Sequence, residues 1–214
     1  METILKPCKN LQKEFKSKAC NEWHEQCKNG KQDSNKYKYA CKVKESINTI
    51  NDSADIMFVG LSAKFDKDQQ IMKPLCSSTN TGKIIDKIEK KINKNIIFHR
   101  TNLVNYPPLD KNNKLRYPNK KEMAHCFENL CREIRQCNPK IIIMFGEQVS
   151  NFIIEALELG HDALKYMFSK TYIKDDLEFI ATHHPSYIYV YKRKIIDEYI
   201  QEIANLINNK LSLA

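Results

Sequence analysis

The amino-acid sequence predicts an α/β fold, a three-layer α/β/α sandwich around a mostly parallel four-stranded sheet. Short apolar runs alternate along the chain with segments whose apolar residues recur at helical spacing. Four strand–helix pairs in succession are typical of a parallel sheet that helices cover on both faces. The length of 214 residues is sufficient for one sizeable domain with a hydrophobic core of its own.

The first strand–helix pair begins where the apolar pattern first appears. ADIMFVGLSA, residues 54–63, has the composition of a buried strand, and Gly60 marks a turn where backbone can approach a ligand. GKIIDKIEKKIN, residues 82–93, carries four isoleucines at helical spacing. We therefore expect an amphipathic helix that packs on the sheet.

The second pair is separated by a long loop. NIIFHRTNLV, residues 95–104, is the second predicted strand. The loop at residues 105–119 is rich in proline, asparagine and other turn formers. The amphipathic segment at residues 121–138 predicts the second helix.

The last two pairs complete the predicted sheet. PKIIIMFG, residues 139–146, is the third strand, and residues 147–159 form the helix that follows it. LEFIATHHPS, residues 177–186, is the fourth strand, and residues 193–211 close the chain as a helix. The order of these elements leads to the mostly parallel arrangement.

Polar or small residues follow three of the predicted strands at their carboxyl ends. These are Gly60, the pair Thr101 and Asn102, and the pair His183 and His184. In open parallel sheets, ligands bind beyond the carboxyl ends of the strands. We therefore expect these residues, which are distant in the sequence, to border one ligand site.

The charge of the chain favours a polyanionic partner. Lysine and arginine exceed aspartate and glutamate by 35 to 26, for a formal charge of +9. Neutralisation of phosphates releases condensed counterions, so an excess of this kind suits nucleic acid. A general bias towards lysine, asparagine and isoleucine in the source would give the same charge without such a partner.

The N-terminal segment, residues 1–50, differs in composition from residues 51–214, which we expect to form the main domain. It is rich in lysine and cysteine and has little apolar periodicity, so a metal centre would explain how it becomes ordered. The chain has no secretory signal pattern and no apolar run of membrane length, so we expect a soluble, cytoplasmic protein. In a reducing compartment, eight cysteines indicate metal or iron–sulfur ligation rather than disulfides.

Five stretches of the chain resemble the uracil-DNA glycosylase superfamily, and their order and spacing are closest to its iron–sulfur-containing branch. The resemblance runs from about residue 54 to the C-terminus. It implies the α/β/α fold, a DNA partner, a monomeric protein and hydrolysis of an N-glycosidic bond. The stretches are IMFVGLSA, KPLCSSTNTGKIIDKI, TNLVNYPPLDKNN, EMAHCFENLCREIRQCNPKIIIMFGEQV and THHPSYIYVYKR.

The last of these stretches carries the most specific part of the resemblance. By that resemblance, His184 donates a hydrogen bond to the base as negative charge develops on it. Ser186 would contact a phosphate next to the flipped nucleotide, and Tyr187 is a wedge or stacking candidate. Lys192 and Arg193 would hold the DNA backbone. The alternative is that the tyrosines here form only the alternate face of a strand.

Two further residues correspond to family positions that contact the base; one matches the family residue and the other does not. Asn102 matches the family asparagine that hydrogen-bonds the base edge, for which an amide offers both a donor and an acceptor. An asparagine that only ends a strand as a turn former is the alternative. Leu75 stands where the family often has a phenylalanine that stacks on the base.

The first motif departs from the family pattern. Gly60 is followed by Leu61 and Ser62, where members of the family place an acidic residue or an asparagine. Neither of the two can act as a general base or as a charged stabiliser of the sugar cation. Asp66 and Asp68 follow closely and are the candidate carboxylates. These departures make an altered or enlarged base plausible, or a DNA-binding protein without turnover.

The resemblance also implies a 4Fe–4S cluster, with zinc or no metal as the alternatives. Cys126 matches a cluster ligand of the family, whereas Tyr106 stands where the family expects a second cysteine. The N-terminal cysteines are spaced irregularly, and Cys8 competes with them as a ligand. The predicted set of four thiolates, which would suit either metal, is Cys20, Cys27, Cys41 and Cys126.

Three functions remain open from the sequence. The first is a monofunctional DNA glycosylase for a uracil-like or otherwise modified base, in DNA repair or in defence against phage with modified DNA. The second is a DNA-binding protein on the same fold that has lost catalysis. The third is a structural or redox metal protein whose basic charge is incidental.

Overall fold

The structure, a computed structural model, describes residues 53–92, 95–160 and 168–212. Its centre is a five-stranded sheet with the strand order β2-β1-β3-β5-β4. The pairs β1–β2, β1–β3 and β3–β5 are parallel. Strand β4 pairs with β5 in antiparallel orientation. The strands are β1 Ile56–Ser62, β2 Phe98–Val104, β3 Ile141–Phe145, β4 Ser169–Lys174 and β5 Leu177–Thr182.

Helices cover both faces of this sheet. Helices α2 and α3 pack with one face in a first apolar cluster, and helices α1, α4 and α5 pack with the other face in a second. The helices are α1 Asn80–Lys91, α2 Lys120–Cys137, α3 Glu147–Leu157, α4 Pro185–Tyr191 and α5 Ile196–Ser212. The predicted three-layer α/β/α class is therefore confirmed.

The predicted count of four strands is wrong by one. Strand β4, with the sequence SKTYIK, has no apolar run, because an edge strand buries little of its surface. It reaches β5 through Asp175 and Asp176, which both have positive φ, 50° and 64°. Two residues in this conformation make the tight turn that suits the twist of a hairpin.

The segment after β5 is a helix and not the continuation of a strand. Pro185 occupies the first turn of α4, where its missing N–H costs nothing, and the His184 side chain caps the helix. The alternative interpretation, that the tyrosines of this segment form one face of a strand, is therefore wrong. Tyr187 and Tyr191 lie one helical turn apart, and their ring centroids are 5.4 Å from each other.

The N-terminal segment and the absence of membrane spans are the two remaining predictions about the chain as a whole. The cysteine-rich segment at residues 1–50 lies outside the described residues, so its boundary with residues 51–214 stays a prediction. Within the described ranges, no helix has the length and apolar character needed to cross a membrane.

Candidate active site

A cavity of about 990 Å³ opens at the carboxyl ends of the parallel strands. Residues from the ends of β1, β2, β3 and β5 contribute to its wall, as the topology predicts. Its volume is at the upper end of the range for small-molecule sites, about 300–1,000 Å³. Predicted site residues in its lining are Leu61, Ser62, Leu75, Asn102, His184, Ser186 and Tyr187.

One corner of the cavity depends on the absence of a side chain at Gly60. A Cβ atom at this position would lie 2.5 Å from Asn102 Oδ1 and 2.9 Å from Leu75 Cδ2. Gly60 and Asn102 are partners in the β1–β2 register, which fixes this approach. The glycine thus brings an amide and an apolar side chain together over the end of β1.

The Asn102 amide is available for a ligand. The residue is only 4% exposed, yet it lines the cavity. No group among the described residues hydrogen-bonds its side chain. Its amide atoms are therefore open to the cavity, where a ligand that offers an acceptor and a donor would pair with them.

Leu75 is held in place by a hydrogen bond from Arg100 to its backbone carbonyl oxygen. Its φ of 50° is unusual for a residue with a side chain. Arg100 donates from Nη1 to the Leu75 carbonyl oxygen at 3.0 Å. Asp86 and Glu89 of α1 bind the same guanidinium at 2.6 and 2.7 Å. The ion-pair network therefore fixes the apolar wall against which a flat ligand would pack.

The imidazole of His184 has one defined tautomer. Its Nδ1 lies 3.1 Å from the backbone nitrogen of Ser186 and 2.7 Å from the Ser186 Oγ. Because a backbone N–H can only donate, Nδ1 is the acceptor, and the proton of the neutral ring is on Nε2. His184 can therefore offer an N–H to a ligand from this atom.

The environment keeps the His184 ring neutral. Burial disfavours the imidazolium, the positive charge of Lys64 adds to the effect, and together they lower the pKa of His184 to about 4. Near neutral pH the side chain is thus a neutral hydrogen-bond donor. Lys64 lines the same cavity and was not among the predicted site residues.

Two contacts that the sequence did not reveal position the histidine loop. Gly146 has a φ of +95°, and a Cβ at this position would lie 3.1 Å from His184 Cβ. Tyr199 of α5 is fully buried and donates its hydroxyl hydrogen to the His183 carbonyl oxygen at 2.8 Å. A tyrosine within an amphipathic helix gives no sequence signal of this role.

Aromatic and basic side chains border the cavity on the α4 side. The His183 and Tyr187 rings have centroids 5.4 Å apart, and Tyr191 continues this row. Tyr191 is 73% exposed, and Lys192 and Arg193, which follow it, are exposed as well. This rim has the composition of a surface that stacks on bases and contacts phosphates.

The first motif lines the cavity but brings no carboxylate into it. Leu61 and Ser62 are half-buried in its wall. Asp66 and Asp68 are exposed and do not line the cavity. The Asp66 carboxylate instead accepts the backbone N–H groups of Asp68 and Gln70, at 2.9 and 2.8 Å, within its own loop.

The only acidic residue in the described lining is Glu147, which was not among the predicted site residues. Three cations, Lys64, Lys73 and Arg116, line the same cavity. Arg116 is already paired with Glu122 at 2.7 Å. The two lysines leave the cavity with a positive balance, which suits an anionic ligand.

The predicted metal set is represented by one residue in the described ranges. Cys126 is buried, its thiol accepts the Asn105 backbone N–H, and burial raises its pKa to about 12. Tyr106 lies near enough for the Cys126 charge to raise its pKa, after the larger effect of burial. Among the described residues, no three metal-binding side chains converge. Cys20, Cys27 and Cys41 lie outside them. Of the four predicted ligands, only Cys126 is therefore described, as an enclosed thiol.

Two comparisons with known proteins bear on the family of this chain. A search of curated proteins gives no match. The family model described as the uracil DNA glycosylase superfamily matches residues 47–208, which include all five strands and the cavity. On this match, the chain belongs to the uracil DNA glycosylase superfamily.

Proposed function

We propose that this protein is a DNA glycosylase, which takes a uracil-like or otherwise modified base out of the DNA stack and hydrolyses its N-glycosidic bond. The observation that carries the proposal is the pairing of Asn102 and His184 in one cavity. The first offers a buried amide without a protein partner, and the second offers a neutral Nε2–H. Both would engage a base, since extrusion from the stack makes the base edge accessible.

In this proposal Asn102 reads the edge of the base and Leu75 packs on its face. An amide can pair with an imide or amide edge through one donor and one acceptor. Gly60 leaves room for this approach, because any Cβ there would collide with the amide oxygen. The β1–β2 corner therefore sets the orientation of the base.

His184 would act on the departing base. As the bond to the sugar breaks, its electron pair moves to the base, and negative charge develops on the base oxygen. A donor that is fixed in advance and needs no reorganisation stabilises this charge. Because the ring is neutral, it donates without transferring a full positive charge into the cavity. No lysine is assigned as a Schiff-base nucleophile, so the proposed enzyme is monofunctional and leaves an abasic site.

The rim supplies the proposed DNA contacts. Tyr187 and Tyr191 present aromatic surface for stacking, and Lys192 and Arg193 present charge for the backbone. In the absence of DNA the Ser186 hydroxyl contacts the His184 ring. A phosphate contact from Ser186 would therefore use its backbone or a rotated hydroxyl.

The width of the cavity supports a substrate larger than uracil. Leu75 is narrower than the aromatic side chain that the resemblance leads one to expect. Ser62 and Leu61 add no charged group at the end of β1. With about 990 Å³ available, a substituent on the base can be accommodated. Repair of altered bases and defence against phage with modified DNA are both compatible with such a substrate.

We also propose that the protein is a cytoplasmic monomer that holds a metal centre. Cys20, Cys27, Cys41 and Cys126 would hold a 4Fe–4S cluster or zinc, which would order the N-terminal segment. Iron, sulfide and zinc analysis of the purified protein, with its visible spectrum, distinguishes the two. Absence of both metals would overturn this part of the proposal.

The test uses the full-length protein and oligonucleotides that carry uracil, hypoxanthine or a bulky modified cytosine, in single-stranded and duplex form. Abasic sites are scored by alkaline cleavage. Product on at least one of these substrates is the expected result. Salt-dependent binding without any product would instead favour a DNA-binding protein without turnover, which the absence of a carboxylate at the end of β1 makes the second candidate.

A further inference from the structure

We propose that Glu147 is the catalytic carboxylate of this protein, and that it accepts the proton of the water that attacks the sugar. The inference rests on the proposed glycosylase function. It assigns to the start of α3 a task that the resemblance places at the end of β1, where Leu61 and Ser62 have no acidic group.

The position of Glu147 follows from the strand order. Strand β3 lies between β1 and β5, so the residue that follows it emerges between the first motif and the histidine loop. Gly146 packs against His184, with its Cβ position only 3.1 Å from His184 Cβ. Glu147 is the next residue, and its side chain lines the cavity. Glu147 thus borders the same cavity as the proposed donor.

Glu147 is also available, unlike Asp66, Glu122 and Glu155. Its side chain is exposed, and no described residue forms a hydrogen bond or ion pair with it. Asp66 is occupied by two backbone N–H groups of its own loop. Glu122 is bound by Arg116, and Glu155, further along α3, by Lys120. In the described lining of the cavity, Glu147 is the one carboxylate.

The proposed step balances in atoms and charge. The N-glycosidic bond breaks and its electron pair leaves with the base. The base oxygen accepts a hydrogen bond from the Nε2–H group of His184. The water oxygen bonds to the sugar C1′, and one water proton passes to the Glu147 carboxylate and then to solvent. The base anion takes a proton from solvent. The negative carboxylate also stabilises the positive character of the sugar before the attack.

Glu147 occupies the first turn of α3. The N-terminus of a helix carries a partial positive charge, which favours an anion there. A base for water must be unprotonated at the working pH. The location therefore supports the role that the lining of the cavity indicates.

The test compares Glu147→Gln with the wild-type full-length protein under single-turnover conditions, on the substrate that gives abasic product. Loss of the base is expected to lower the rate by about 10²–10⁴-fold, while DNA affinity is unchanged. Glu147→Asp should recover part of the rate.

Glu155→Gln is the matched control, because it changes the same side chain on the same helix outside the cavity. It should keep the wild-type rate. A wild-type rate in Glu147→Gln, or a large loss in Asp66→Asn or Asp68→Asn, would overturn the inference and leave the glycosylase proposal standing. No product from the wild-type protein on any substrate would overturn both.

Discussion

The end of β1 and the loop between β5 and α4 border the same cavity, but they differ in the chemistry that they carry. The loop holds a histidine with a defined tautomer and a lowered pKa. The end of β1 offers Gly60, Leu61 and Ser62, which shape the cavity without any charged group. Two parts of one cavity wall can therefore differ in the chemistry that they offer.

The difference has a physical basis. The histidine loop is held by a helix cap, Gly146 and Tyr199, and the proposed donation to a base needs such a fixed direction. A carboxylate that acts on water or on a charged sugar acts through its charge, and more than one strand end can present it. The donor side is therefore the more constrained of the two.

At the β1 end, Gly60→Ala is expected to have a large effect. The new Cβ would push the ends of two side chains, Asn102 and Leu75, out of position. A displacement of about 1 Å in a reacting geometry can cost about 10²-fold in rate. We expect a loss of this order in single-turnover rate with little change in thermal stability.

Gly82→Ala is the matched control for this variant. At Gly82 a Cβ would lie 2.0 Å from the backbone carbonyl oxygen of Cys76, which cannot rotate away. Here we expect the opposite balance, a loss of stability of about 1–3 kcal/mol in denaturant unfolding. Equal losses of activity and stability in both variants would show that Gly60 serves only the fold.

On the opposite side of the cavity, Tyr191→Ala tests the rim. Removal of one aromatic platform is expected to weaken DNA binding by about 1–3 kcal/mol, measured by fluorescence anisotropy. Ile173→Ala is the control, because this side chain is also 70% exposed but does not line the cavity. Identical affinities of the two variants would exclude stacking on Tyr191.

The pH dependence of stability distinguishes His184 of the cavity from His99 of β2. The pKa of His184 is lowered to about 4, so its stabilising effect is complete above its unfolded pKa of about 6.5. This effect decreases as the pH falls towards 4. For His99, burial opposes the charge, but the bonds to Cys137 and Glu133 raise its pKa to about 9.

The contribution of His99 therefore has the opposite dependence on pH. It is complete below about pH 6.5 and is lost as the pH rises through 9. Titration of the imidazole signals by NMR measures the two rings separately. A His184 ring that becomes protonated near pH 6.5 would contradict the neutral donor.

The sequence predicts the fold class because apolar periodicity is a local property. Asn102 and His184 could be expected at one edge because parallel strands bring their carboxyl ends together. Strand β4 was missed because its side chains are mostly polar, although Asp175 and Asp176 before β5 indicate a hairpin turn. The turn residues were the available signal.

The remaining site residues depend on contacts between distant parts of the chain. The hydroxyl of Tyr199 reaches His183 from the last helix, and no sequence period distinguishes it from a core tyrosine. Likewise, Glu147 resembles an ordinary first-turn acid of a helix. Its place in the cavity emerges only when β3 is known to lie between β1 and β5.

The most direct test of the central claim is the rate of abasic-site formation by the wild-type protein and by His184→Ala on one substrate. Loss of a preorganised donor should lower the single-turnover rate by about 10²–10³-fold. DNA affinity should be retained, because the exposed rim is unchanged. Equal rates in the two proteins would contradict the account, since the base would then depart without the His184 donor.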